Sequence, residues 1–173
     1  MAQTKRTVRR TGSGSAKARR RAARLTAVQA LYQIELAGEA VETVVREFID
    51  HRIGQDLDGE AYVPADPTLF SDIVRGASVR HDEIDRLLGT CLDPQWPIER
   101  LELLLRAILR GGGFEILAHA DTHPRILINE YVEVAHAFFA GREPGMVNGV
   151  LDKLARLLRP EELAQPDPHR VEN

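Results

Sequence analysis

The sequence has few of the residues that build disulfides, redox centres and nucleophilic sites. Cys91 is its only cysteine, so an internal disulfide is excluded. A lone thiol on an apolar stretch is more often a small buried side chain than a nucleophile, and a reducing compartment fits this composition. Aromatic residues make up 5% of the chain, and Trp96 is the only tryptophan. Because prolines flank it closely, Trp96 is predicted to cover the core as a hydrophobic plug.

Long apolar runs are missing as well. No stretch approaches 18 uncharged apolar residues, and no apolar segment follows the N-terminal charges, so neither a membrane span nor a secretory signal is expected. These absences favour a cytoplasmic protein with no membrane partner. Organelle transit peptides share the Arg-rich, acid-poor composition of the N-terminus, but here the arginines continue into the first predicted helix.

Candidate metal and catalytic clusters are weak. His119, Asp121 and His123 alternate near a predicted helix end, but the sequence has no second His or Cys set at zinc spacing and no HExxH pair. The glycine run 111–113 lacks the preceding strand and the following Lys-Ser/Thr of a phosphate loop. The sequence therefore predicts a protein that is not an enzyme and that holds no metal or other cofactor.

Acidic residues are absent from the first 24 positions, although the whole chain has a net charge of −3. The remainder has 14 basic and 26 acidic residues, so a cationic arm joins an acidic body. This asymmetry indicates an anionic partner, while a basic run by itself is equally typical of a solvated tail. Residues 1–17 are predicted to form a disordered basic arm, because they are polar and rich in Gly and Ser. The nine basic residues are Lys5, Arg6, Arg9, Arg10, Lys17, Arg19, Arg20, Arg21 and Arg24.

Apolar residues recur three and four positions apart through the rest of the chain, and no alternating strand pattern is present. This predicts an all-α, single-domain bundle of about seven helices over residues 18–160, followed by a flexible tail over 161–173. The first helix spans Ala18 to Gly38, and its core-facing positions are predicted to be Leu25, Val28, Tyr32 and Leu36.

Two breaks are predicted inside the helical pattern. Gly76 and the polar residues that follow it divide the stretch 67–92 into two helices. The glycine run 111–113 falls within a helix over 98–120, and it either lets another helix approach closely or breaks the helix locally.

Side chains on the first helix suit RNA. The guanidinium groups of Arg21 and Arg24 pair with phosphates, and Gln29 and Tyr32 add an amide and a phenol to the same side of the helix. This combination fits single-stranded RNA, whose unpaired bases stack on aromatic rings. Alternatively, Tyr32 is a core tyrosine with its hydroxyl at the surface.

Five segments, in order along the chain, carry a family resemblance. They are RRAARLTAVQALY (20–32), WPIERL (96–101), RAILRGGGFEIL (106–117), ILINEYVEVA (126–135) and VNGVLDKL (147–154). Together they resemble the NusB family of bacterial transcription antitermination and ribosomal-RNA synthesis factors.

The resemblance implies an all-helical domain of two subbundles that acts without catalysis. NusB-like proteins bind the boxA element of nascent RNA together with the ribosomal protein NusE, and they join a complex that makes RNA polymerase resist termination. The chain is therefore expected to bind single-stranded boxA-like RNA with NusE and to support ribosomal RNA transcription. The RNA contacts of the family correspond to Arg20, Arg21, Arg24, Gln29, Tyr32, Met146, Asn148 and Lys153.

On the last helix, one of these positions leaves alternatives open and another departs from the family pattern. Asn148 either reads a base edge or caps its helix. Gly145 and Met146 stand where the family usually has a basic residue and an aromatic one, so a charge and a stacking ring are missing there.

Two other functions fit the pattern. One is a helical protein-interaction module whose basic arm is incidental. The other is an RNA-binding relative of the NusB-like domains fused to ribosomal RNA methyltransferases, without their catalysis, because 173 residues leave no room for a cofactor-binding α/β domain.

Overall fold

The computed structural model describes residues 14–53 and 63–165, and in this part of the chain the regular elements are all helices. The predicted all-α class is confirmed. The elements are α1 (Ala16–Ala37), α2 (Val41–His51), α3 (Pro67–Val79), α4 (His81–Cys91), a 3₁₀ turn (Ile98–Arg100), α5 (Leu103–Ala118), α6 (Pro124–Phe138), α7 (Glu143–Leu158) and α8 (Pro160–Ala164).

Helix ends lie where the sequence chemistry marks them. Gly38 closes α1 in the left-handed conformation, with φ of 66°. Asp66 Oδ1 accepts hydrogen bonds from the backbone N–H groups of Thr68 and Leu69, at 3.0 and 3.2 Å, and so begins α3. The predicted break after Gly76 is confirmed, since α3 and α4 are separate helices.

Helix α5 lies at the centre of the bundle. It packs against α1, α3, α4, α6 and α7. No described helix is long and apolar enough to cross a bilayer.

The glycine run of α5 allows close helix packing. The helix is continuous through residues 111–113, so the alternative of a local break is wrong. A Cβ atom on Gly112 would lie 2.7 Å from Leu151 Cδ1, and one on Gly111 would lie 3.0 Å from Tyr131 Cε1. The glycines are therefore needed where α6 and α7 meet the central helix.

The core-facing side of α1 differs from the predicted one. Val28 is buried as expected, but Leu25 and Tyr32 are only partly buried, and Leu36 is 59% exposed. Small side chains let α3 and α5 approach α1 closely, so the larger apolar residues lie on its flank. The other buried apolar residues of α1 are Ala23, Ala27, Ala30 and Leu31.

The prediction for Trp96 is wrong, whereas that for Cys91 is confirmed. Trp96 is 58% exposed, while Ile98 and Leu101 are 5% and 8% exposed and cover the core in its place. The 3₁₀ turn after the second proline directs these two side chains inward. Cys91 is a buried thiol in the apolar core.

Ordered structure continues past the predicted domain end at residue 160. Helix α8 occupies the start of the predicted tail, because Leu163 is buried and the side chain of Arg125 donates a hydrogen bond to its carbonyl at 3.0 Å. The ring of His123 also binds the carbonyl of Glu162 at 3.0 Å. The rest of the predicted tail, residues 166–173, and most of the predicted arm, residues 1–13, lie outside the described residues.

Candidate nucleic-acid interface

Three arginines at the start of α1 have different surroundings. Arg20 is partly exposed and makes no hydrogen bond or ion pair within the described part of the chain. The side chain of Arg21 is 48% exposed and pairs with Glu130 of α6. Arg24 is 3% exposed and lies inside the bundle.

Arg24 belongs to a buried cluster around Glu115 of α5. Its Nε and Nη2 atoms donate to the two carboxylate oxygens of Glu115 at 2.7 and 2.9 Å. The hydroxyl of Tyr131 donates to the same carboxylate at 2.8 Å, and the ring of His119 lies 3.0 Å from it. The other ring nitrogen of His119 contacts Asp72 of α3. The cluster ties α1, α3, α5 and α6 together.

The donors decide the charge state of Glu115. Burial raises the pKa of this carboxyl, but the hydrogen bonds from His119, Arg24 and Tyr131 outweigh burial and lower the pKa to about 2. The pKa of His119 is raised because Glu115 and Asp72 favour its protonated ring. Burial raises the pKa of Tyr131 well above its ordinary value, so its hydroxyl stays a donor.

The position of Arg24 removes it from the predicted RNA contacts in this conformation. A side chain that is 3% exposed and held at two points by a buried carboxylate has no surface to offer a phosphate. A sequence signal for this arrangement exists, since Glu115 stands between Phe114 and Ile116 in an otherwise apolar helix, and a charge there requires a buried partner.

Gln29 and Tyr32 lie further along α1, in a groove of about 450 Å³. The groove is formed by α1, α2, α5 and α6, and apolar atoms dominate its walls. Such walls suit a protein side chain or a base better than a phosphate. Its lining residues are Gln29, Tyr32, Gln33, Leu36, Arg52, Leu104 and Phe138.

The predicted contacts on α7 are not all on one face. Met146 is partly buried against the core and Lys153 is exposed, and two helical turns separate them on the same side. Asn148 is exposed but lies about 140° around the helix from Lys153. It does not cap α7, since Arg142 occupies the cap position.

The structure does not bring all the predicted contacts together. Helices α1 and α7 both pack against α5 and α6 but have no substantial contact with each other. The arginines of α1 and the Met146–Lys153 face of α7 are therefore two separate regions. Sequence reasoning also missed Glu130, an acidic residue that contacts the arginines directly.

The described residues contain no group of three or more His, Cys, Asp or Glu side chains placed to hold a metal ion. His119 contacts carboxylates, as described above. The ring of His123 instead accepts a hydrogen bond from the backbone of Arg125 at 3.2 Å and caps α6.

Comparisons with known proteins agree with this architecture. The model of the NusB family matches residues 21–156. The chain is 46% identical to transcription antitermination protein NusB of Bradyrhizobium sp. (strain BTAi1) over 145 residues, which cover 84% of the chain and 86% of that protein. It is 48% identical to the NusB protein of Rhizobium rhizogenes (strain K84) over 142 residues, covering 82% and 89% of the two chains.

Solved structures show the same fold. NusB of T. maritima has a TM-score of 0.68 and 27% identity, and the match covers 84% of this chain and 97% of that one. A chain from a crystal structure of the antitermination factors NusB and NusE in complex with dsRNA also has a TM-score of 0.68, with 24% identity and coverage of 81% and 98%. By the family model and these identities, the chain belongs to the NusB family.

Proposed function

We propose that the protein is a non-catalytic transcription antitermination factor that binds single-stranded boxA-like RNA together with NusE. In this role it joins the antitermination complex with RNA polymerase in the cytoplasm and supports ribosomal RNA transcription. The observation that carries the proposal is the pair formed by the partly exposed Arg20 and the exposed Arg21 at the start of a helix, directly after a segment whose charges are all basic. Family membership and the NusB–NusE–dsRNA complex of a similar fold support it.

The start of α1 is the proposed phosphate-binding region. Arg20 has no partner within the described chain, so its full charge is available to a phosphate. The N-terminal end of a helix also carries a partial positive charge. Phosphate contacts fix the orientation of an RNA and make its binding salt-dependent, but they do not read its sequence.

The groove that contains Gln29 and Tyr32 is the proposed surface for NusE. Leu36 on its rim is 59% exposed, and Leu104 and Phe138 extend the apolar surface onto α5 and α6. Exposed apolar surface of this kind is typical of protein interfaces. A partner bound here lies beside the arginine end of the same helix, so both proteins can contact one RNA. Gln29 and Tyr32 then face either the partner or a base at the junction.

The exposed side of α7 is proposed to add base and phosphate contacts through Met146 and Lys153. Asn148 points in a different direction, so it is proposed to reach RNA only at the edge of this surface.

Titration of boxA-like and scrambled single-stranded RNA, with and without NusE and at two salt concentrations, tests the proposal. Arg20→Ala is expected to weaken binding, because it removes an unpaired phosphate ligand. Arg86→Ala is the matched control, because Arg86 is exposed on α4, which does not pack against α1. Equal affinities for boxA-like and scrambled RNA in the presence of NusE would contradict the proposal.

The apolar groove favours a second candidate, a protein-interaction module whose basic arm is incidental. Deletion of residues 1–13 separates the two functions, because it keeps Ser15, which caps α1, and the buried Arg24. Loss of RNA binding with retained NusE binding supports the RNA-binding role of the arm. Unchanged RNA binding after the deletion and after Arg20→Ala would favour the module.

A further inference from the structure

We propose that Glu130 on α6 is a positioning residue that restrains RNA binding by Arg21. Its carboxylate holds the guanidinium against the protein, so part of the charge of Arg21 is compensated before an RNA arrives. The inference rests on the proposed function and adds to it a device for rejecting unspecific RNA.

The geometry of the pair is that of a two-point contact. Arg21 Nη2 donates to Glu130 Oε1 at 3.0 Å, and Arg21 Nε donates to Oε2 at 3.3 Å. The side chain of Glu130 is 7% exposed and that of Arg21 is 48% exposed, so the carboxylate lies on the inner side of the guanidinium. A two-point arginine–carboxylate contact fixes the plane of the guanidinium as well as its position.

Glu130 is held in place from behind. Its Oε2 atom lies 3.6 Å from Nη1 of Arg24, which is bound in turn to Glu115. The next residue, Tyr131, is fully buried and hydrogen-bonded to the same Glu115. Because both neighbours are fixed inside the bundle, the carboxylate of Glu130 is also fixed.

A phosphate that approaches Arg21 therefore competes with a carboxylate that cannot leave. Pulling Arg21 away would leave Glu130 buried with only the longer contact to Arg24, and a buried carboxylate without a close partner is costly. Arg20, which has no such partner, offers its whole charge to any RNA. An RNA that binds weakly and unspecifically therefore gains little binding energy from Arg21. An RNA that other contacts hold in place can still bind the outward-facing edge of the Arg21 guanidinium.

The salt dependence of RNA binding measures this difference. For single-stranded RNA, each phosphate neutralised contributes about 0.7 to the slope of log K against log salt. Arg20→Ala is therefore expected to reduce the slope by about 0.7, and Arg21→Ala by less than half of that. This comparison leaves Glu130 unchanged, so it does not depend on how a Glu130 variant folds. Equal reductions by the two variants would overturn the inference.

Glu130→Gln releases the charge of Arg21 while keeping the shape of the side chain. It is expected to steepen the slope by up to about 0.7 and to tighten binding of scrambled RNA several-fold, more than binding of boxA-like RNA. In an Arg21→Ala background the same change is expected to have no effect on the slope. If Glu130 had only a structural role, Glu130→Gln would instead weaken the binding of both RNAs, whether or not Arg21 is present.

Glu133→Gln is the matched control. Glu133 is exposed one turn further along α6 and acts on Arg21 through its charge but without a hydrogen bond, so its removal changes the net charge equally without releasing the guanidinium from Glu130. Equal effects of the Glu130 and Glu133 variants would overturn the inference, as would an unchanged slope for Glu130→Gln. In those cases RNA binding by the unaltered protein with NusE leaves the proposed function standing, whereas absence of that binding overturns both.

Discussion

Arg24 shows how position decides what an arginine does. It is one turn from Arg21, yet it is buried and paired with Glu115, while Arg21 is half exposed. Their spacing in sequence predicts a shared side of the helix, and the difference arises because Glu115 of α5 faces only one of them. Composition and spacing alone therefore identify the basic end of α1 but do not separate its exposed arginines from the buried, structural one.

Arg24→Ala is expected to destabilise the fold by about 3–5 kcal/mol, because the fully buried carboxylate of Glu115 loses its two-point contact with a cation and keeps only His119 and Tyr131. Denaturant unfolding followed by circular dichroism measures the change. Arg20→Ala is the control and is expected to alter stability by less than about 0.5 kcal/mol, because Arg20 makes no ion pair within the described chain. Similar stabilities of the two variants would contradict the structural role of Arg24.

His119 makes stability depend on pH. Its pKa is raised in the folded state by Glu115 and Asp72, so its contribution is fully present below the unfolded pKa of about 6.5 and is lost as pH rises through the folded pKa. The free energy of unfolding is therefore expected to fall as the pH rises above the unfolded pKa of about 6.5. Unfolding measured between about pH 5 and 9 tests this, and His119→Gln is expected to flatten the curve. His136→Gln, at an exposed histidine of α6, serves as the control.

Glu115 changes the free energy of unfolding with pH in the opposite direction to His119. Its folded pKa of about 2 lies below the unfolded value of about 4.3, so its contribution is present above the unfolded pKa and is lost as pH falls toward 2. Together, Glu115 and His119 stabilise the fold most at a pH between the unfolded pKa of Glu115, about 4.3, and that of His119, about 6.5.

Helix existence and most helix ends follow from the sequence, because Gly38 and Asp66 act locally. Which face of a helix is buried follows less reliably. In α1 the largest apolar residues predicted which face is buried. The structure buries the face of Ala23 and Ala27 instead, because these small side chains let the neighbouring helices pack more closely. Local periodicity contains no information about how near the neighbouring helices come, so this error could not be corrected from α1 alone.

Gly112→Ala is expected to destabilise the bundle even though alanine favours a helix. The added Cβ would lie 2.7 Å from Leu151 Cδ1 and 3.2 Å from Tyr131 Cγ, so the buried side chain of Leu151 must change position or α7 must move away from α5. Gly89→Ala is the matched control in α4, because nothing lies within 4 Å of its added Cβ. It is expected to stabilise by up to about 1 kcal/mol through helix propensity. Thermal unfolding that shifts upward for both variants would contradict the close packing at Gly112.

The division into a basic arm and an acidic body was predicted from charge counts, and the bundle was predicted from periodicity. The separation of the two regions that the resemblance marks as RNA contacts was not predicted. Both α1 and α7 pack against α6, but they have no substantial contact with each other. Contacts that are distant in sequence, such as Arg21 with Glu130, depend on helix packing that no local pattern encodes. The same packing leaves α7 as a second, separate region that can be tested independently of α1.

Met146→Phe tests whether α7 belongs to the RNA-binding surface. Apart from chain neighbours and the backbone of α7 itself, no heavy atom lies within 4 Å of a Cβ built on Gly145 or Gly149, so the helix surface that flanks position 146 is open. Base stacking on an aromatic residue contributes about 1–3 kcal/mol, so fluorescence titration is expected to show at least several-fold tighter RNA binding. Val79→Phe, at an 86% exposed position at the end of α3, which has no substantial contact with α7, controls for unspecific stacking. Since α1 and α7 are not in substantial contact, the gain is expected to persist in an Arg20→Ala background. Equal gains from both phenylalanine variants, or none from Met146→Phe, would place α7 outside the RNA surface and leave α1 as its main component.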